Sequence, residues 1–142
     1  MITIKTNVEQ SSIKFFRGVI TNYIDSLGYD VNTYMINEIR ACVSEMISNV
    51  LVHAYPESDN KPVVVTINHL IEDEQTKLVI TVEDDGVGMS DVKKCMEPMY
   101  TTVCDESRCG LGFTIMETMS DNLLVTSNPN FGTRVEITKC IE

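Results

Sequence analysis

Apolar and polar residues follow two different spacings along the chain, and each spacing predicts a different kind of element. Strand-forming runs, some of them strictly alternating, occur at residues 2–7, 62–71, 76–83, 123–127 and 133–141. Apolar residues recur at helical spacing over residues 9–27 and from Asn32 or Thr33 to Pro56, and shorter helices are expected at about 90–96 and 111–120.

The order of these elements predicts an α/β fold. Neighbouring strands are joined by short turns, such as the acidic turn at residues 72–75, so most of the sheet should be antiparallel. We expect a two-layer sandwich in which a mixed, mostly antiparallel sheet carries the helices on one face. Neither repeats nor a composition break divides residues 1–142, and a single domain is expected.

Composition narrows the classes of partner. The 142 residues contain 11 basic and 21 acidic side chains, a formal net charge of −10. Residues 1–35 are neutral overall, so residues 36–142 carry the whole net negative charge. This balance argues against direct binding to nucleic acid or to a membrane surface, because both need a cationic face. Basic proteins, cations and cation-escorted anions remain natural partners.

The cysteines and the start of the chain indicate a cytoplasmic protein. The five cysteines are an odd number without a C-x-x-C pair, which is typical of free thiols in a reducing compartment. The first residues alternate like a strand and lack the apolar core of a signal peptide. No apolar stretch approaches the ~20 residues of a membrane span.

Glycines mark the first candidate site. Gly86 and Gly88 follow Asp84 at the end of a predicted strand, where a carboxylate can accept a hydrogen bond from a purine amino group and bare backbone can approach a flat ring. An ordinary turn explains the same residues about as well. A dinucleotide-binding fold is disfavoured because a third glycine and a β-α-β unit are both missing.

A second glycine pair precedes a predicted helix. The segment Gly110-Leu111-Gly112 would expose free N–H groups at the helix start, which is a favourable phosphate site, although a glycine-rich cap is an equal alternative. Arg108, just before it, could neutralise a phosphate or could be a solvated loop residue. The P-loop motif is absent, because no lysine follows either glycine.

Two polar residues share one stripe of the second helix. Glu45 and Asn49 lie four residues apart, with His53 one turn further. An Asn oxygen suits Mg²⁺, and a nearby Glu could accept a proton from a hydroxyl. An exposed polar stripe is the simpler explanation for this pair alone.

The ordered combination of these motifs is more specific than any one of them. Together with Gly132-Thr133, it resembles the N, G1, G2 and G3 boxes of the GHKL (Bergerat-fold) ATPases. The sequence segments at residues 44–55, 98–102 and 110–117 further resemble the anti-sigma-factor serine kinases, most closely the sporulation type. The resemblance covers nearly the whole chain.

The resemblance implies ATP and Mg²⁺ as cofactors and gives the residues of the motifs their roles. Asn49 would hold Mg²⁺, and Glu45 would be the general base for a serine hydroxyl. Asp84 would bind the adenine amino group, and the residues around the adenine ring would be Gly86, Gly88 and Thr133. The residues that hold the phosphates, beneath a lid at about 97–109, would be Arg108, Gly110, Leu111 and Gly112.

The resemblance also implies partners. A homodimer would bind a sigma factor of the sigma F type in the ATP state and phosphorylate an anti-anti-sigma factor on serine, with Arg17 contacting both proteins. Ala54 stands where sporulation members usually have glycine, which favours the stress-response branch, and residues 113–117 favour sporulation. A histidine-kinase ATPase domain and a nucleotide-sensing module without kinase activity are the other classes considered.

Overall fold

The computed structural model of the chain describes residues 1–96 and 107–142, and for residues 107–110 it describes the backbone alone. Five strands are present in this part of the chain: β1 (Ile2–Asn7), β2 (Pro62–Glu72), β3 (Gln75–Asp84), β4 (Asn122–Asn128) and β5 (Gly132–Cys140). The α-helices are α1 (Ser12–Ser26), α2 (Thr33–Asn49), α3 (Val92–Met96) and α4 (Ser107–Met119).

The strands form one sheet in the order β1-β2-β3-β5-β4, and every neighbouring pair is antiparallel. The acidic turn between β2 and β3 is a tight hairpin in which Asp73 and Glu74 have positive φ. The predicted α/β sandwich is therefore confirmed, and the predicted strands agree with the observed ones to within one or two residues. The central place of β3 matters for function, because its last residue is Asp84.

The core lies between the sheet and the helices. Alternate residues of the central strands, such as Val65, Ile80 and Ile137, are at most 1% exposed. They pack with fully buried side chains of the helices, including Phe16 of α1 and Ile47 of α2. Full burial of such a side chain contributes roughly 1.5–3 kcal/mol, so this layer holds α2 firmly against the sheet.

Both long helices begin and end for local reasons. Asn32 caps α2, because its side-chain oxygen accepts a hydrogen bond from the Met35 N–H at 2.8 Å. Gly28 adopts a φ of +76° directly after the last turn of α1, as expected for the residue that ends a helix. The sequence predicted one helix up to Pro56, whereas the α-helix ends at Asn49 and a π-helical turn, Val50–Ala54, follows.

The prediction that Gly110-Leu111-Gly112 opens a helix is wrong. Helix α4 already begins at Ser107, so Gly110 lies in its first turn and Gly112 in its second. Only the first four N–H groups of an α-helix lack a partner within the helix, so the Gly112 N–H belongs to the helical ladder. Residues 97–106 of the predicted lid at 97–109 lie outside the described residues, and residues 107–109 belong to α4.

Within the described residues, no helix combines the length and the hydropathy that crossing a membrane requires.

Candidate functional site

Asp84 lies at the end of β3, opposite Thr133 of β5. Its Oδ1 accepts a hydrogen bond from the Gly86 N–H at 2.9 Å. Burial raises the pKa of the Asp84 carboxyl above its usual value, the N–H groups of Gly86 and Thr133 oppose that rise, and the Asp85 charge adds to it. Among the described residues, the hydrogen bonds that Asp84 accepts come from these two backbone donors, so its half-buried carboxylate can accept a further donor from a ligand.

The two glycines after Asp84 are required by close packing. A Cβ atom on Gly86 would collide with the carbonyl oxygen of Ala54. The Val87 N–H donates to that same oxygen at 2.9 Å, which ties the glycine turn to the end of the π-helical turn. Gly88 has a φ of +68°, and a Cβ there would collide with the Asn128 carbonyl oxygen. The turn is therefore pressed between two other segments of backbone.

The π-helical turn contributes a second wall. A π-helix is wider than an α-helix and occurs mostly as single turns, often at functional sites. Lys61 donates from Nζ to the Leu51 carbonyl oxygen at 2.6 Å, so one carbonyl of this turn is satisfied by a side chain. His53 and Ala54, which follow, both line the cavity described below.

Helix α4 packs directly against the polar stripe of α2. A Cβ atom on Gly112 would lie 2.9 Å from Glu45 Oε2 and 3.6 Å from Asn49 Oδ1. Gly112 is buried, whereas its neighbour Leu111 is 51% exposed. The structure therefore brings Glu45, Asn49 and Gly112 together, although the N–H of Gly112 is not free to bind an anion. The side chain of Arg108 lies outside what the structure describes.

These segments enclose a cavity of about 230 Å³. Its lining is mainly apolar, with polar side chains at Asn49, His53, Asp84, Ser90 and Thr133. The Nδ2 of Asn49 is buried and has no hydrogen-bond partner among the described residues. A buried amide without a partner is costly, so its presence is a sign of a site built for a ligand. An apolar cavity with a few convergent polar groups is the usual form of a small-molecule site.

The cavity fits a purine nucleotide. Asp84 provides an acceptor for a base, Gly88 and Thr133 line the cavity beside it, and Asn49, whose amide nitrogen is unsatisfied, lines the same cavity. Of the predicted site residues, Asn49, Asp84, Gly88 and Thr133 line the cavity. Gly86 and Gly112 shape its surroundings through the contacts given above.

Arg17 is not part of this cavity. It lies on α1, where its Nε is buried without a hydrogen-bond partner among the described residues. Two residues before it, Phe15 is 55% exposed and packs edge-on against Phe16. The structure thus separates the predicted docking arginine from the predicted nucleotide site.

Two residues of the site were missed by reasoning from the sequence. The Tyr55 hydroxyl donates to the Pro62 carbonyl oxygen at 2.7 Å and accepts from the Asp85 N–H at 2.8 Å, which connects the end of the π-helical turn to the glycine turn. Burial raises the pKa of Tyr55, and the nearby acids add to the effect. Ser127 contacts Thr133 from the neighbouring strand, with 2.8 Å between the two hydroxyl oxygens. Neither residue has a local motif that would identify it.

Comparisons with known proteins identify the family of the chain. The family model of the histidine kinase-like ATPase domain matches residues 8–139. The chain is 38% identical to the anti-sigma F factor of Caldanaerobacter subterraneus subsp. tengcongensis, over 99% of this chain and 94% of that protein. It is 39% identical to the anti-sigma F factor of a Thermoanaerobacter species, over 89% of this chain and 84% of that protein. The anti-sigma F factor of Bacillus velezensis is 33% identical over 88% and 82%.

Solved structures share the fold at low sequence identity. The RsbU and RsbW domains of a Mycobacterium tuberculosis protein superpose with a TM-score of 0.65 at 13% identity, over 98% of this chain and 32% of that chain. The SiaB-SiaC complex from Pseudomonas aeruginosa superposes with a TM-score of 0.60 at 15% identity, over 99% and 90%. At these identities the likeness concerns the fold alone.

Proposed function

The chain belongs to the histidine kinase-like ATPase family and, within it, to the anti-sigma F factors, and from this premise we propose that it is an ATP-dependent protein serine kinase that also sequesters a sigma factor. The observation that carries the proposal is the cavity, which places the Asp84 carboxylate and the unsatisfied Asn49 amide around one space. Residues 1–142 would act as one kinase domain in the cytoplasm, where sigma factors work.

The adenine ring would occupy the apolar part of the cavity. Asp84 would accept a hydrogen bond from the exocyclic amino group, and Gly86, Gly88 and Thr133 would surround the ring. The support is the lining of the cavity, to which Asp84, Gly88 and Thr133 contribute together, and Gly86 belongs to the same turn as Gly88. A carboxylate aimed at the base and away from the phosphates also avoids repulsion between this acidic protein and a polyanion.

The triphosphate would extend from the cavity toward Asn49. Mg²⁺, when bound, neutralises charge on the phosphate oxygens, and the side-chain oxygen of Asn49 would be its protein ligand. Arg108, Gly110, Leu111 and Gly112, beneath a lid at about 97–109, would hold the phosphates. Because the Gly112 N–H is engaged in α4, this role requires the first turns of α4 to unwind when the nucleotide binds.

Glu45 would be the general base. It lies one helical turn before Asn49 on α2, with Oε2 facing α4 at Gly112. In the proposed reaction, the serine Oγ of an anti-anti-sigma factor attacks the γ-phosphorus, and Glu45 accepts the Oγ proton. The bond from the γ-phosphorus to its bridging oxygen breaks, and ADP leaves. Positioning and charge neutralisation supply most of the catalysis in such transfers.

Partner switching would follow from this chemistry. The ATP-bound chain would bind a sigma factor of the sigma F type, and phosphorylation would inactivate the rival anti-anti-sigma factor. We place Arg17 at the docking surface for both, because its buried Nε lacks a partner among the described residues and Phe15, two residues before it, is exposed. We propose a role in sporulation over a stress response, because the resemblance of residues 113–117 to the sporulation type favours it.

We also propose a homodimer. The face of the sheet away from the helices carries Val64 and Val79, which are partly exposed, and Leu124, which is 51% exposed. Covering such side chains would stabilise an association of two sheets. Light scattering at several protein concentrations, with Leu124→Asp as the variant, tests this surface, since a dimer through it should dissociate in the variant.

The central experiment combines purified chain, Mg-ATP and a candidate anti-anti-sigma factor. We expect phosphoserine on the partner, and Glu45→Ala should slow its formation at least about 100-fold while nucleotide binding is retained. Glu117→Ala, an exposed carboxylate on α4, is the matched control. Undiminished transfer by Glu45→Ala would remove Glu45 from the base role. Nucleotide binding without transfer to any partner would instead support a nucleotide-sensing module.

A further inference from the structure

Ser127 lies near the end of β4, behind the wall of the cavity. It is partly buried and is not among the residues that line the cavity, whereas Thr133 is. Its Oγ has three polar contacts: the Met89 N–H donates to it at 2.7 Å, the Gly132 carbonyl oxygen lies at 3.1 Å, and Thr133 Oγ1 lies at 2.8 Å.

The direction of each of these hydrogen bonds follows from the number of protons. A hydroxyl has one proton to donate and two lone pairs to accept with. The Met89 N–H can only donate, so it uses one lone pair of Ser127. The Gly132 carbonyl oxygen can only accept, so it takes the single proton of Ser127. One lone pair of Ser127 remains, and Thr133 must donate its own proton to it.

The opposite arrangement satisfies fewer groups. If Ser127 donated to Thr133, its oxygen would face the Gly132 carbonyl oxygen at 3.1 Å with no proton between them. Two acceptors in contact repel each other, and a network in which every member is satisfied is strongly preferred when it is buried. The contacts therefore fix the proton of Thr133 on the side of Ser127, away from the cavity.

Thr133 and Asp84 consequently both offer acceptors at this part of the wall. Thr133 presents lone pairs because its proton is engaged by Ser127. Asp84, paired with Thr133 across β3 and β5, presents a carboxylate that already accepts from the Gly86 N–H. Two adjacent acceptors match a group that carries two protons, such as an exocyclic amino group, and they repel an oxo group.

We propose that Ser127 is a positioning residue that orients the Thr133 hydroxyl and thereby makes the site select purine nucleotides with an amino group at C6 over those with an oxo group. This inference rests on the proposed nucleotide-binding function. It adds a determinant of specificity that does not touch the ligand.

A pair of nearly identical ligands tests it. ADP and inosine diphosphate differ only at C6, amino or oxo, and at ring N1, which carries a proton in hypoxanthine and none in adenine, so the ratio of their Kd values reports on this edge of the base alone. Titration calorimetry of the purified chain should show tighter binding of ADP. Ser127→Ala should reduce the ADP preference by about fivefold or more, because Thr133 can then turn its proton into the cavity.

Controls distinguish specificity from a general loss of structure. Ser120→Ala removes another partly buried serine hydroxyl, which donates to the Met116 carbonyl oxygen, and should leave the ratio unchanged. Ser127→Thr restores the hydroxyl and should restore the ratio. If Ser127→Ala does not fold, Thr133→Val tests the same wall, since it removes one acceptor and should also reduce the preference for ADP.

The outcomes are separable. Weakening of ADP and inosine diphosphate by the same factor in Ser127→Ala would show a structural role and overturn the inference. Equal binding of the two ligands by the wild-type chain would overturn the inference and leave the proposed nucleotide site intact. A wild-type chain that bound neither ligand would refute the proposed function, and the inference with it.

Discussion

Gly112 of α4 lies against the Glu45 carboxylate of α2, where a Cβ atom would come within 2.9 Å of Oε2. The contact joins the proposed base to the helix that follows the proposed lid. The position of Glu45 therefore depends on the absence of a side chain at Gly112, and any movement of α4 would change the surroundings of the carboxylate.

Gly112→Ala should separate stability from activity. The new methyl group would displace the Glu45 side chain by a few tenths of an ångström, which a flexible carboxylate tolerates. Replacing glycine by alanine within a helix stabilises the folded state by about 1 kcal/mol, which offsets the cost of this displacement. We expect little change in Tm and about a tenfold or greater loss of phosphoryl transfer.

Gly18→Ala is the matched control for Gly112→Ala. Gly18 lies in α1, and nothing lies within 4 Å of its Cβ position. The substitution should stabilise the chain by up to about 1 kcal/mol in urea unfolding and leave the rate of phosphoryl transfer unchanged. A full rate in Gly112→Ala would show that Glu45 does not need its observed position.

Asp84→Asn should change how stability depends on pH. The pKa of the folded Asp84 is raised above its reference value of 3.8, mainly by burial. The folded state therefore binds its proton more tightly, and the associated stability is fully present below pH 3.8 and is lost as the pH rises through the folded pKa. The amide that replaces the carboxylate carries no such charge, so the variant without nucleotide should gain stability relative to wild type across this window.

Urea unfolding of both proteins between about pH 4 and pH 7 measures this difference. Asp59→Asn, at an exposed carboxylate that is not among the charges that raise the pKa of Asp84, serves as the control. The same Asp84→Asn variant should bind ADP at least about tenfold more weakly, because an amide can place a donor against the amino group. A difference in unfolding free energy that is constant with pH would contradict the assigned cause.

Tyr55→Phe should loosen the glycine turn. The substitution removes the hydroxyl that bridges the Pro62 carbonyl oxygen and the Asp85 N–H, and keeps the ring. We expect a loss of about 1–2 kcal/mol in unfolding free energy, and ADP affinity should fall several-fold because the turn carries Gly86. Tyr34→Phe, at a side chain that is 78% exposed, should change neither quantity.

Lys139→Met should destabilise the chain. Lys139 lies on β5 with its side chain 12% exposed, pairs with Glu38 of α2 at 2.8 Å and donates to the Met119 carbonyl oxygen at 2.9 Å, where α4 ends. Its removal leaves a partly buried carboxylate and a helix-end carbonyl without this partner, at a cost of about 1–3 kcal/mol.

Lys77→Met is the comparison for Lys139→Met. Lys77 pairs with Glu72 at 3.0 Å on the surface, and water screens that pair, so urea unfolding should show little change. An equally small effect for both lysines would mean that the Lys139 network contributes nothing beyond a surface pair.

The sequence alone determined the elements and most of the candidate site. Alternation predicted the strands, and helical spacing predicted α1 and α2, because both patterns are local consequences of burying one face of an element. Asp84 with its glycines, and Glu45 with Asn49, could be found for a similar reason, since each set lies within one short segment. The roles given to them remain proposals.

Only the tertiary structure decided how these segments meet. The start of α4 at Ser107 was missed because no local signal marks it, and the two glycines suggested a later start. The π-helical turn after Asn49 was missed because its residues read as ordinary helix. The contacts of Gly112 with Glu45, of Gly86 with Ala54 and of Ser127 with Thr133 join residues from different elements. Such contacts are set by packing across the sheet and between helices, which no periodicity along a single chain encodes.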